Sequence, residues 1–282
     1  DQPDDLVGDG RALRRLGYPV PKFEVIGKAQ LSNLEDVVAR VGLPLIVKNT
    51  DSSGSRGTRI LHVRDLPGIH SAALAAMAVS RSKQALIEEY WEGPEQTVET
   101  IFDCEGRFHP CFITDRVFDK RQGYAIETGL RHPSALPEPI QKEMFALAEK
   151  VARDLGVTIG AAKYDMILTS AGPRIIEMTV RLSGGFDCQY LVPAATGKNV
   201  LQAGIQTALG QPFDDSLLTD VKHRVGLSES LWPAPGRIES ISGIDDAKRV
   251  PGFEAVFFRY REGDVVDSYT DCTKRVCFII AT

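Results

Sequence analysis

The sequence predicts an α+β protein of more than one domain, and three observations predict it. Strand-length apolar runs follow one another across short turns, the signature of antiparallel pairing. Helical stretches end at glycines and separate groups of strands. The chain has 282 residues, enough for two or more domains and a sizeable core.

In chain order, Arg11–Leu16 reads as the end of a helix that stops at Gly17. An extended Pro-Val-Pro stretch (residues 19–21) leads to a helix over Asn33–Val41, with Ser32 as its cap and Gly42 as its stop. Residues 45–90 read as strand, loop, strand, helix, strand, with the helix at Ser71–Lys83, rich in alanine. Strands follow at Thr97–Phe102, Arg107–Asp115, Tyr164–Leu168 and Arg174–Val180. One long helix, Pro139–Leu155, interrupts them, and another spans Asn199–Leu209 before Gly210. Residues 223–282 alternate short strands with Gly and Pro turns. The expected division is 1–44 (N-terminal helix and linker), 45–91 (an α+β lid), 92–215 (a metal and catalytic subdomain) and 216–282 (a small C-terminal α+β segment).

Bulk properties narrow the function. The composition, 43% hydrophobic and 25% charged, is that of an ordinary globular enzyme. A net charge of −5 without a basic run speaks against a nucleic-acid partner. No apolar run approaches the roughly 20 residues that span a bilayer, and no signal peptide is visible. The five cysteines form no CxxC pair and the five histidines no HxxxH pair. That pattern argues against a disulfide framework or a zinc site and for a reducing, cytoplasmic setting.

The chemistry begins at Pro44-Leu45-Ile46-Val47-Lys48, a buried strand that delivers one lysine to its end. A loop of small and hydroxyl residues follows, including Ser53, Gly54, Ser55, Arg56 and Gly57. Backbone N–H groups in such a loop can approach phosphate oxygens, and Lys48 adds a point charge. The lysine precedes the glycines, so this is not a Walker loop. By itself the segment reads either as a flap over phosphates or as an ordinary Gly/Ser turn. Ile87-Glu88-Glu89-Tyr90-Trp91-Glu92-Gly93-Pro94-Glu95 is a strand running into a turn. It reads as an adenine-binding exit with a ribose carboxylate, or as an acidic loop.

Lys163-Tyr164-Asp165 and Glu177-Met178-Thr179-Val180-Arg181 flank a turn through Ala171. A hairpin there brings Asp165 opposite Glu177. Alternation puts Lys163 beside Asp165, and Glu177 beside Thr179 and Arg181. Two adjacent carboxylates repel unless a hard cation such as Mg²⁺ sits between them and phosphate oxygens. The alternative is an exposed hairpin with surface ion pairs. Arg131, His132 and Asp187 lie near these elements as substrate candidates. Arg131 reads as a carboxylate clamp or a structural ion pair, and His132 as a base or an exposed turn histidine.

Together these pieces resemble the ATP-grasp superfamily of carboxylate–amine ligases, whose members include D-alanine–D-alanine ligase, biotin carboxylase and carbamoyl phosphate synthetase. The ordered set runs PxPxF, GxPxIVKxxxxSGSxG, LIEExxxGxE, GxxKxD, GPxIIEMxxRxSGG and ATG, over roughly residues 17–282. Its carbamoyl-phosphate-synthetase-like variant looks closest. The resemblance implies an ATP-grasp fold, two α+β subdomains clasping a nucleotide, here lacking most of the usual N-terminal Rossmann-like domain. It implies ATP and Mg²⁺ (or Mn²⁺) as cofactors. Lys48 and Ser53–Gly57 would contact the phosphates, Glu89 and Trp91 the adenine, and Glu95 the ribose, with Glu88 also in the nucleotide site. Asp165, Glu177 and Thr179 would face the metal, and Arg181 and Lys163 the transferred phosphoryl group. Thr179 stands where the family has Asn, and Leu6 near a position where it has Lys.

The implied reaction phosphorylates a small-molecule carboxylate to an acyl-phosphate, couples it to an amine and releases ADP and phosphate. Its partners would be those two substrates, with a missing N-terminal domain or a homodimer completing the protein. The alternative is a nucleotide-binding module or pseudoenzyme without turnover, and a nonfunctional fragment would show no nucleotide-dependent rise in melting temperature.

Overall fold

The computed structural model describes residues 6–282, so residues 1–5 of the expected N-terminal region lie outside the described residues. The described chain falls into two compact units. The first comprises residues up to Gly93 together with Phe118–Glu127 and Ser268–Lys274. The second comprises Pro94–Val117, Thr128–Asp267 and Arg275–Thr282.

The first unit opens with α1 (Leu6–Arg15), β1 (Phe23–Ile26) and α2 (Leu34–Val41). It continues with β2 (Leu45–Asn49), β3 (Arg59–Leu61), α3 (Leu66–Val79) and β4 (Ala85–Glu89). The strands form one antiparallel sheet in the order β1-β4-β2-β3. Leu45, Val47 and Ile87 of the sheet bury against Val37, Val38 and Val41 of α2 and Ile69, Ala73 and Ala76 of α3. The helices begin close to their expected places. A short 3-10 turn occupies Lys28–Asn33, so Asn33 rather than Ser32 stands at the cap position of α2. α3 begins at Leu66, five residues before the expected Ser71, with Pro67 in its first turn, where the fixed φ of proline is allowed.

The alanines of α3 have a packing role that composition alone did not reveal. Gly57, at the end of the glycine loop, has φ +68°, and a Cβ there would sit 2.9 Å from Ala76 Cα and 3.0 Å from Val79 Cγ2. A small-residue helix face and a glycine thus let the loop lie directly on the helix. Gly57→Ala is expected to cost about 2–3 kcal/mol, from overpacking and a left-handed backbone together. Urea denaturation measures it.

The second unit contains β5 (Glu95–Phe102), β6 (Phe108–Asp119, its last two residues counted with the first unit) and β7 (Ile126–His132, likewise its first two). Then come α4 (Glu138–Asp154), β8 (Gly160–Thr169), β9 (Gly172–Thr179), α5 (Val192–Thr196) and α6 (Val200–Ala208). The remainder is β10 (Gly226–Leu231), β11 (Gly236–Arg237), α7 (Ile244–Ala247), β12 (Phe253–Phe258), β13 (Val265–Val266) and β14 (Cys277–Ala281). Eight strands form one sheet in the order β12-β14-β10-β7-β6-β5-β8-β9, and β11 pairs with β13 as a small ribbon. The C-terminal strands β10, β12 and β14 extend this sheet. α4 packs on β5, β8 and β9, where Arg153 lies over the Phe102 ring at 5.2 Å. Alternation turns Thr97 and Glu99 of β5, with Lys163 and Asp165 of β8, to the other face. Among the described residues no helix is long and apolar enough to cross a membrane.

Candidate active site

In the first unit, Lys48 leaves β2 and meets Glu88 of β4, its Nζ 2.9 Å from Oε1. Both side chains are largely buried, so the pair is a charge-assisted bond in a shielded place. The following loop is rooted by Asn49, whose Nδ2 donates to the Arg56 carbonyl at 2.8 Å and whose Oδ1 accepts the Asp51 and Ser52 amides. Asp51 accepts the amides of Arg81 and Ser82, both at 2.8 Å, and the Ser80 hydroxyl. Burial pushes its carboxyl up, but these donors outweigh it and hold it below the usual carboxylate range.

The loop tip is open: Ser53 and Gly54 are exposed. Gly54 (φ +75°), Ser55 (φ +56°) and Gly57 (φ +68°) take left-handed conformations, the kind of backbone that turns successive amides toward an anion. Arg56 folds back on the loop, its Nε donating to the Ser53 carbonyl at 3.0 Å. Cys272, a residue the sequence did not connect with this loop, donates its amide to the Gly54 carbonyl at 3.0 Å. At the exit of β4, Glu89 is tied to Lys22 by two bonds: its amide donates to the Lys22 carbonyl, and its carboxylate accepts the Lys22 amide at 3.2 Å. Trp91 is half-buried just beyond.

In the second unit, the β8–β9 hairpin sets Asp165 opposite Glu177, as expected, and Lys163 opposite Thr179, with a bulge between Asp165 and Met166 that shifts the pairs nearer the turn by one residue. Asp165 is buried between two cations: Lys163 Nζ lies 2.6 Å from Oδ1 and Arg116 Nη1 lies 3.0 Å from Oδ2. Burial pushes the Asp165 carboxyl up, yet Arg116 and Lys163 outweigh it and hold it below the usual range. Arg116 also faces Glu95 at 3.6 Å, so Glu95 is part of this sheet-face network. Sequence reading missed Arg116 because it ended β6 at Asp115; the strand continues to Asp119.

Arg181 lies beyond the end of β9, exposed, with Nη1 donating to the Leu182 carbonyl. Asp187 is buried in a wide helical turn (Asp187–Leu191) and accepts the Thr114 hydroxyl at 3.3 Å. The reading of His132 as an exposed turn residue is corrected. It is the last residue of β7, buried, with Nδ1 3.1 Å from the Ile113 carbonyl. Burial pulls its pKa down, which keeps the ring neutral. Arg131, its neighbour, is exposed and stands opposite Leu227 of β10.

No group of three or more His, Cys, Asp or Glu side chains gathers as a metal cage among the described residues. The donor set that is present, two facing carboxylates and the buried Thr179 Oγ1 with no hydrogen-bond partner, is all oxygen. Oxygen donors of this kind are those of a Mg²⁺ ion that takes its other ligands from phosphate and water, and not those of a zinc site. Both Asp165 oxygens are engaged here by Lys163 and Arg116, so Asp165 would have to exchange one of these cations for the metal.

Comparison with known proteins gives a consistent placement. The carbamoyl-phosphate synthase L chain ATP binding domain family matches residues 9–216. The L-amino acid ligase C-terminal domain 2 matches residues 230–282. The chain is 27% identical over 274 residues to the uncharacterized protein y4rH of Sinorhizobium fredii, covering 96% of this chain and 55% of that one. It is 24% identical over 252 residues to dapdiamide A synthase of Enterobacter agglomerans, covering 84% and 57% respectively. The crystal structure of L-amino acid ligase from Bacillus licheniformis superposes with a TM-score of 0.79 at 22% identity, over 99% of this chain and 66% of that one. The chain thus spans a little more than half the length of these curated relatives.

Proposed function

The chain belongs to the carbamoyl-phosphate synthase L chain ATP-binding family and has the ATP-grasp fold, and on that premise we propose that it is the nucleotide-binding and catalytic part of an ATP-dependent carboxylate–amine ligase whose substrates are amino acids. The observation that carries this reading is the face of β8 and β9, where Asp165 and Glu177 stand opposite each other beside Lys163 and Arg116. Lys48 and the loop Ser53–Gly57 bind the phosphates, and the Glu88–Glu95 segment receives the nucleoside. Asp165 and Glu177 would hold Mg²⁺, which would neutralise phosphate charge.

The substrate carboxylate attacks the γ-phosphorus and the β–γ bridging bond breaks, giving an acyl-phosphate and ADP. A second amino acid's neutral amine attacks the acyl carbon, inorganic phosphate leaves, and an amide forms with loss of the amine proton. A carboxylate has no good leaving group, which is why ATP is spent. Arg181 and Lys163 act on the charge that develops on the transferred phosphoryl group, and the protein's other work is positioning. Relatives bearing the names dapdiamide A synthase and L-amino acid ligase support the amino-acid class.

A screen of amino-acid pairs for stimulated ADP release, with calorimetry of Mg·ATP alongside, tests this. Lys48→Met removes one charged phosphate contact worth about 1.5–3 kcal/mol. It is expected to weaken Mg·ATP by about 10- to 150-fold, and unchanged affinity would refute the role of Lys48. Thr179 in place of a stronger metal ligand favours a second reading, a nucleotide-binding module without turnover. Tight Mg·ATP binding with no amino-acid-stimulated release would establish that reading instead.

A further inference from the structure

Glu99 is fully buried in β5, opposite Lys163 of β8 and Phe112 of β6. Nothing in the reaction above uses it. A carboxylate in such a place is costly unless its oxygens are engaged, and an apolar residue would pack there without that cost. One oxygen is engaged: Oε2 accepts the Ser183 amide at 2.8 Å and the Cys188 thiol at 3.7 Å. Ser183 and Cys188 also touch, Oγ to Sγ, at 3.3 Å. The other oxygen, Oε1, is buried without a hydrogen-bond partner.

The segment so held leads directly out of the catalytic hairpin. β9 ends at Thr179, Arg181 follows, and Ser183 is the next buried polar residue. Gly184 is exposed, Gly185 has φ +71°, and Phe186 sits in a left-handed conformation (φ +68°) that a phenylalanine rarely adopts. Local preference does not hold this turn. The strand ladder fixes it on one side and the Glu99 carboxylate two residues beyond Arg181.

We propose that Glu99 is a positioning residue for the ligase reaction: by accepting the Ser183 amide it fixes the segment that carries Arg181 to the sheet face that carries Lys163 and Asp165. The proposal rests on the functional reading above. It assigns Glu99 no contact with substrate. Its effect is on where Arg181 stands, so it is felt in the chemical step and not in nucleotide affinity. Misplacement of a catalytic group by about 1 Å costs on the order of 100-fold in rate.

Glu99→Met fills the same space without an acceptor, and Glu99→Gln keeps one. Each variant is assayed for melting temperature, Mg·ATP affinity by calorimetry, kcat and KM of amino-acid-stimulated ADP release, and hydrogen exchange of peptides covering residues 181–188. Glu99→Met is expected to lower kcat by about 10- to 100-fold, to leave Mg·ATP affinity within about 3-fold, and to speed exchange in 181–188 alone. Glu99→Gln is expected to recover at least a third of wild-type kcat and its exchange protection. Wild-type kcat in Glu99→Met overturns the proposal. So does a Glu99→Gln variant as slow as Glu99→Met, or a loss of ATP affinity that matches the loss of kcat. If the wild-type protein itself releases no ADP, the ligase reading fails. Exchange then still decides the anchor, and unchanged protection of 181–188 in Glu99→Met removes it.

Discussion

Asp165→Ala is expected to cost the protein both its turnover and several kcal/mol of stability, whereas Glu177→Ala loses turnover alone. The two carboxylates face each other across the hairpin, yet their surroundings differ. Asp165 is 5% exposed, with Lys163 on one oxygen and Arg116 on the other. Its removal leaves two cations close together in a shielded place with no compensating charge, a change that costs about 3–5 kcal/mol. Glu177 is half-buried near the edge of the sheet, and its loss leaves solvent within reach. On the proposed role of the pair in holding Mg²⁺, losing one of its carboxylates removes electrostatic stabilisation of the transferred phosphoryl group, a loss on the order of 100- to 1000-fold in kcat. The measurement is urea denaturation beside ADP release for both variants. Equal destabilisation of the two, or full activity in Glu177→Ala, would contradict the assignment.

The second large effect is a pH dependence of stability centred on Glu99. Burial pushes its carboxyl up to about 7 from the ordinary 4.5, although hydrogen bonds from Ser183, the Lys163 charge and the Cys188 thiol pull it down. Below pH 4.5 the group is protonated whether the chain is folded or not. Between 4.5 and 7 the unfolded chain releases the proton and the folded chain retains it, so stability falls as pH rises. The slope reaches about 1.4 kcal/mol per pH unit, and the total from pH 5 to pH 8 is about 2.5 kcal/mol. The thiols of Cys111 and Cys188, which neighbour this carboxylate, are themselves pushed up by burial and stay neutral over that range. Glu99→Gln has no proton to lose there. Its stability relative to wild type should therefore rise by about 2.5 kcal/mol between pH 5 and pH 8. Parallel curves for the two proteins in urea denaturation across that range would show that Glu99 is not a buried, neutral-leaning acid.

The hairpin was legible because its information is local. A short turn near Ala171 brings Asp165 close to Glu177, and the two do stand opposite each other as predicted. A bulge after Asp165 sets that pair, while the pairs nearer the turn (Leu168 with Pro173, Thr169 with Gly172) run one residue off a fold about Ala171. The glycine loop was legible for a similar reason, since left-handed φ values at Gly54 and Gly57 call for that residue type. β7 was not legible. Ile126-Glu-Thr-Gly-Leu-Arg-His has a central glycine and two charges, and sequence reading assigned no element there. It becomes a strand because β6 and β10 flank it in the sheet, a tertiary influence that overrides its weak propensity. The same misreading turned a buried His132 into an exposed one.

What the sequence alone determined is the set of short-range structures: the loop after Lys48, the acid-bearing hairpin, the helices with their glycine stops, and through their order the family. Their spacing fixes them because each closes over a few residues. What only the tertiary structure decided is which distant groups share a charge. Arg116 reaches Asp165 from another strand, Glu88 meets Lys48 across the sheet, and Glu99 takes the Ser183 amide from 84 residues away. A single strand specifies which face a side chain takes but not which strand lies beside it. Those pairings follow from strand order, which the cores settle by packing.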